Sequence, residues 1–424
     1  MCVTCCAPAA AAVAQGADLG SVAWPPPVVR ELPCEALAAW RDGEKPAALV
    51  LLSDTPFLEP IPQGARAQAL SLARTGSAAE LAARGRWQAP DPVLLPAQTV
   101  TAALSAGFFS RLVWVAPLPP RGVEPDLEVF RRQLVEGGIL GAEEAAGWSA
   151  APGGVRGTTL GAEAAFLFHP ERVREVASEP VFLHVDLSYF NVRYLDEIRT
   201  PIYELLRSTL ESLRTGGLIP VGVTVSLSTA DGRVPLDFRF VGWTLVRVMG
   251  DLSMLERSLP REWVSRAKAL YLANLLKGNE VLAQYQELVQ RNPADASLHF
   301  ALYGAYRARR EGQAALAALR EAAERDPGYG AEYLNLGEAA ARKGDPKAEL
   351  EMLDLAARYD PDNPFITLGR AQALLAAGDG EGAGALLRGL GRLPWSPDYH
   401  PDVPSLLEHL SRQAAAMPAP PRQQ

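Results

Sequence analysis

The chain has 424 residues, 48% hydrophobic and 21% charged, with a formal net charge of -8 at pH 7. That length exceeds a typical single core and predicts two domains. The acidic balance leaves no electrostatic footprint for nucleic acid or an anionic membrane surface, and no stretch reaches the roughly 18 apolar residues of a membrane span.

The start, MCVTCCAPAAAAVAQGA, has small residues and an AxA-like AVA but no basic n-region or long apolar h-region. Residues 1–34 are expected as a flexible segment, and the protein as cytoplasmic by default. If the true start lies upstream, the Cys5-Cys6 pair would belong to the processing site of an exported lipoprotein. Cys2, Cys5, Cys6 and Cys34 all fall in the first tenth of the chain, outside the expected cores. The CxxC at Cys2 and Cys5 has no second CxxC or His pair at zinc-ligand spacing.

From 35 to 255, short apolar runs alternate with helical segments. AALVLLS, RLVWVAP, PVFLHVDL and IPVGVTVSLS read as buried strands bounded by Pro or polar turns. GARAQALSLARTGSAAELAARG, EPDLEVFRRQLVEGG and TPIYELLRSTLESLRTGG lie between them with helical patterning. This alternation predicts a three-layer α/β domain with a mainly parallel sheet, whose ligand sites lie at the carboxyl ends of strands. APGGVRGTTLGAE lacks the residues of a phosphate loop and is expected as a flexible loop. Neither a GxSxG elbow nor a GxGxxG after a strand occurs.

Beyond residue 255 the chain repeats itself. Pro293, Pro327 and Pro361 recur every 34 residues, Gly312, Gly344 and Gly378 mark the turn within each unit, and a less regular unit precedes them from Pro260 to Asn292. Leu302, Gly304, Tyr306, Leu334, Leu336 and Gly337 occupy first helices, where close packing calls for small side chains. The region 260–395 resembles about four tetratricopeptide repeats, an all-α solenoid, which implies a protein or peptide partner on its concave face. The alternative is that the array only packs against the first domain. A capping helix is expected within 396–416, over Ser405 to Ala415, and a disordered tail over 417–424.

The stretch FLHVDLSYF (182–190) concentrates the polar candidates. Strand alternation puts His184, Asp186 and Ser188 on one face. His184, flanked by apolar residues, reads as a core histidine or as a functional one, which His169 would join only if the fold brought the two together. Tyr189 and Phe190 are expected to pack beneath the site. Arg193, Asp196 and Glu197 are expected in the next loop, as a polar pocket lining or a solvated helix entry.

FLHVDLSYF, TPIYELLRSTLESLRTGGLIPVGVTVSLS, DGRVPLDF and DPVLLPAQTVTAALSAGFFSRLVWVAPLPP together resemble, over about 200 residues, the arginase-like hydrolases, in particular their peptide-arginase-related branch. The resemblance implies two manganese ions bridged by a hydroxide, held by a DxHxD strand and a DxD strand. The best register places Ser53, Thr55 and Phe57 on the DxHxD positions, and a one-residue shift places Asp54, Pro56 and Leu58 there. The second motif reads Asp186, Leu187, Ser188. One carboxylate cannot hold two such cations, so no cofactor is expected.

Three functions follow. The first is a non-catalytic arginase-like domain coupled to a partner-binding array. The second is an altered hydrolase on a peptide, guanidino or amide substrate, acting through Asp186, His184 and Asp54. The third is a pocket that binds a peptide end or an arginine side chain through Asp54, Asp186 and Arg193 without turning it over.

Overall fold

The computed structural model describes residues 23–42, 48–118, 126–151, 153–195, 197 and 199–417. Cys2, Cys5, Cys6, the AVA segment, Asp196 and the tail beyond Met417 lie outside the described residues. Eight strands occur among them: β1 (Val28–Arg30), β2 (Ala48–Leu52), β3 (Arg111–Val115), β4 (Ser149–Ala151), β5 (Gly154–Thr159), β6 (Ala162–Leu167), β7 (Val181–Asp186) and β8 (Pro220–Ser226). They form one sheet in the order β1-β8-β7-β2-β3-β6-β5-β4. The first six in that order run parallel, and β5 and β4 add an antiparallel edge.

The central strand β2 is buried at every residue, as an apolar run covered by helices on both faces must be. Ala48, Val50 and Leu52 join Leu183, Val185, Leu206 and Val241 in one core layer. Leu49 and Leu51 join Trp40, Leu112, Trp114, Phe166 and Phe182 in the other. Tyr189 and Phe190 are buried in the first of these layers.

Two expectations are corrected. The α/β domain does not begin at 35: Trp24 is buried in it, β1 pairs with β8, and Cys34 is fully buried beside Leu81 and Gly85. A strand of only three residues between prolines carries too little period to be read from sequence. The glycine-rich stretch after Trp148 is a β-hairpin, not a flexible loop. Leu160 (φ 50°) and Gly161 (φ 79°) make a two-residue turn with both residues left-handed, and Thr159 pairs with Ala162 across it. Gly157 is required there, because a Cβ would lie 2.5 Å from the Trp148 ring. The long helical stretch after Gly64 is two helices, Gln63–Thr75 and Ala78–Arg84, since Ser77 and Glu80 form a capping box that starts the second.

The C-terminal region is all helical. Antiparallel pairs follow one another: Arg261–Asn274 with Gly278–Arg291, Ala296–Ala308 with Gly312–Arg325, Ala331–Ala341 with Pro346–Tyr359, and Pro364–Ala376 with Gly380–Leu390. The helix Val403–Ala416 packs on the last pair. Within each pair the chain turns through a left-handed residue, at Leu276, Arg310, Gly344 and Gly378 in succession, so the 34-residue period is also a backbone period. Gly312 is therefore not the turn residue of its unit; Arg310 is, and Gly312 opens the second helix. Gly304 is not a close-packing position either, since a Cβ there would meet nothing within 4 Å, whereas Gly337 packs tightly on Leu353.

One edge of this array lies along the α/β domain. Asp326 and Asp360, 34 residues apart in loops between helix pairs, bind Arg239 and Arg86 respectively. Further on, the Ser396 N–H donates to Pro90 O at 2.9 Å, and the Tyr399 hydroxyl donates to Gln98 Oε1 at 2.9 Å. The segment expected to cap the solenoid thus also anchors it to the first domain.

Candidate functional site

The polar candidates gather at the carboxyl edge of β2, β7 and β8. In register, His184 faces Thr224 and Asp186 faces Ser226 across neighbouring parallel strands. β7 ends at Asp186, so Ser188 does not continue the alternation of His184 and Asp186. It lies in the first turn of the helix Leu187–Tyr194, whose N-cap is Asp186, and its N–H donates to Asp186 Oδ1 at 2.9 Å. The Ser188 hydroxyl in turn accepts the Asp54 N–H at 3.1 Å, which ties the end of β2 to the end of β7.

The network has one consistent proton order. Trp40 Nε1–H donates to Thr224 Oγ1 at 3.1 Å, and an indole nitrogen can only donate. The Asp186 carboxylate can only accept, and the Ser226 and Ser228 hydroxyls both donate to its Oδ2. With its proton spent on Asp186, Ser226 Oγ accepts from His184 Nε2–H at 3.1 Å. His184 Nδ1 then accepts from the Thr224 hydroxyl at 2.8 Å. His184 is thereby the neutral Nε2–H tautomer, and burial pushes its pKa down to about 3.

This order runs opposite to nucleophile activation, in which the histidine would accept the serine proton. His184, Asp186, Ser226 and Ser228 are all fully buried. The positions compared with metal ligands are equally committed. The Ser53 hydroxyl donates to Thr55 O, while Ser53 O accepts from Trp114 Nε1 at 2.9 Å. Phe57, at φ 53°, turns its ring into the core with the Arg233 guanidinium 5.2 Å from its centroid. Two divalent cations need several carboxylate lone pairs, whereas the groups around Asp186 present protons to it, so these residues do not fit the metal pair. Among the described residues, no group of three or more His, Cys, Asp or Glu is placed to hold a metal ion.

The outer rim is charged. Asp54 pairs with Arg233 at 3.1 Å, both about a quarter exposed. Asp231 sits beside them, its Oδ1 accepting the Arg233 N–H at 3.2 Å. Burial, and then the Asp186 charge, push the Asp231 carboxyl up to about 6. The native state therefore holds a proton that the unfolded chain releases near 3.9, so this stabilising contribution is complete below about 3.9 and disappears as pH rises through about 6. Asp231→Asn is expected to flatten the fall of the urea midpoint across that window and to raise the midpoint at alkaline pH. An unchanged slope would show Asp231 to be fully solvated.

Ser226, Ser228, Asp231 and Arg233 were not recognised as site residues, although the polar run SLSTADGR directly after an apolar strand is a readable signal. Arg193 is not in a loop and does not reach this site. It lies in the last turn of the helix Leu187–Tyr194 and donates to Tyr189 Oη at 3.2 Å and Thr209 Oγ1 at 2.9 Å. His169 follows β6, three strands from β7, beside Glu171, and is not brought to His184.

A second candidate surface is a groove of about 740 Å³ between the first helices of the array, the helix Gly278–Arg291, and Pro235, Leu236, Asp237 and Phe240 of the α/β domain. Among the residues that line it, Glu332 accepts from the Tyr303 hydroxyl at 2.6 Å, from Arg307 at 2.9 Å and from Asn335 at 2.8 Å. Leu276, almost wholly exposed, stands at its rim.

Fold and site thus define a chain with an α/β domain, closed by a polar network at its carboxyl edge, followed by a helical array carrying an open groove. No family model matches the chain, and no curated protein matches it either. No helix among the described residues is long and apolar enough to cross a membrane.

Proposed function

We propose that this protein is a non-catalytic binding protein, in which an arginase-like α/β domain that has lost its metal chemistry supports a tetratricopeptide array that recruits a protein partner through an extended peptide. The observation that carries the first half is the Asp186 carboxylate, buried and held by three internal donors, Ser188 N–H and the Ser226 and Ser228 hydroxyls. A buried acceptor so satisfied stabilises the fold, and recruiting it to a cation would leave those donors unpaired. The 34-residue recurrence of the left-handed turn and the open groove support the second half.

The test is calorimetric titration of the full chain with manganese, alongside assays of urea release from free arginine and from arginine-containing peptides. Neither binding nor hydrolysis is expected. Stoichiometric manganese with turnover would overturn the reading in favour of a hydrolase. For the array, peptides selected on the full chain from a random display library are expected to lose at least about tenfold in affinity against Asn335→Ala or Leu276→Asp, about 1.4 kcal/mol. Equal affinity for both variants would remove the groove from the proposal.

A further inference from the structure

Only two arginines are buried among the described residues, Arg239 and Arg266, and they are satisfied in opposite ways. Arg239 spends all five of its N–H groups on Glu31, Asp326 and Thr229. Arg266, 6% exposed, has no carboxylate partner among the described residues. Its guanidinium donates to Ser297 Oγ at 2.7 Å and Ser297 O at 3.2 Å, and its Nε is buried with no partner. Asp295 reaches it only at one remove, through the Ser297 hydroxyl. The Phe240 ring covers one face, its centroid 3.8 Å from Cζ, which offsets part of the burial cost but supplies no acceptor.

A buried cation with no carboxylate in contact is costly to desolvate, and the Asp237 carboxylate acts on Arg266 only through space. Arg266 bears that cost on the wall of a cavity of about 760 Å³, between the α/β domain and the first helix pairs of the array. Four arginines and three carboxylates line this cavity, and one of the carboxylates, Asp326, is already committed to Arg239. Trp263 and Tyr203 stack in parallel at 4.9 Å along the same wall, and Trp243 stands half exposed beside them.

We propose that this cavity binds a small organic anion, a flat apolar body carrying a carboxylate or phosphate group, with Arg266 as its counter-charge. The guanidinium provides N–H donors suited to either anion, the half-exposed Trp243 offers a face to the apolar body, and Arg247, Arg291 and Arg325 stand at the rim. Each of these three already has an acidic partner in contact, Glu262, Glu287 and Glu321 respectively, whereas Arg266 has none among the described residues.

The experiment titrates the full chain with phenyl phosphate and with benzoate, following tryptophan fluorescence and Tm, with inorganic phosphate and phenol as the separated halves. At least one of the two anions is expected to saturate the signal and raise Tm, binding at least about tenfold more tightly than either half, and the tighter anion identifies the head group. Arg266→Met is expected to weaken that binding at least about tenfold while leaving the ligand-free Tm unchanged or higher, because it removes an unpaired buried charge. Absence of saturation by both anions up to about 10 mM would overturn the proposal, as would binding to Arg266→Met equal to wild type. A lowered ligand-free Tm in Arg266→Met, with no binding to wild type, would assign Arg266 to the fold alone. Should Arg266→Met fail to fold, Trp243→Ala decides: it is expected to weaken phenyl phosphate but not inorganic phosphate, and equal binding of phenyl phosphate overturns the site.

Discussion

Replacing Asp186 by alanine is expected to cost about 3–7 kcal/mol of stability, seen as a lower urea midpoint with an unchanged m-value. The substitution removes a helix cap worth about 1 kcal/mol at Ser188, and it strands two buried hydroxyls at about 1–3 kcal/mol each. The effect spreads beyond Asp186, because the order of protons from Trp40 to Ser226 ends on its carboxylate. Asp186→Asn should cost less. Its amide oxygen still accepts the Ser188 N–H, and the two hydroxyls can rotate to accept from the amide nitrogen. A stability for Asp186→Ala within about 0.5 kcal/mol of wild type would mean that the carboxylate is not structural and is free for a ligand.

Arg239→Met is expected to uncouple the array from the α/β domain, splitting a single calorimetric unfolding transition into two. Burial alone would lower the Arg239 pKa, but the hydrogen bonds to Glu31 and Asp326 outweigh it and hold the group far above its ordinary value. Its side chain is 2% exposed, against 39% for Glu31 and 16% for Asp326. Water can partly rehydrate the stranded Glu31, so the loss falls at the lower end of the ~3–5 kcal/mol expected when one partner of a buried ion pair is removed. Arg239→Lys should recover only part of it, since a single ammonium cannot span two carboxylates and a hydroxyl from one planar fork. Gly328 makes the same contact possible from the other side, as a Cβ there would lie 2.5 Å from Arg239 Cζ. A single transition at the wild-type temperature in Arg239→Met would show that the two parts are held by other contacts.

Parts of this molecule were legible because they are local. Apolar runs such as Ala48–Leu52 and Val181–Asp186 carry their strand character in composition, since both faces of a parallel strand are buried. The hairpin after Trp148 was misread because its glycines serve a tryptophan approach and a left-handed turn, which look like flexibility when composition alone is considered. At the site, Asp186 and His184 could be singled out from their strand. The polar run that holds Ser226 and Ser228 was readable as a strand end, but not its partner, because these serines lie 40 and 42 residues from Asp186 and meet it through the pairing of β7 with β8.

The sequence by itself determined four parallel strands of the sheet, the division into an α/β region and a helical region, and the 34-residue spacing of the helix pairs. Those properties arise from hydrophobic period, turn residues and repetition along the chain. Only the tertiary structure decided which polar groups satisfy each other. It gave Asp186 three donors and Arg239 two carboxylates, and it left Arg266 without one. The physical reason is that the balance of a buried charge depends on groups far apart in sequence, and the same residue types can be paired or left unpaired with no change in any local pattern.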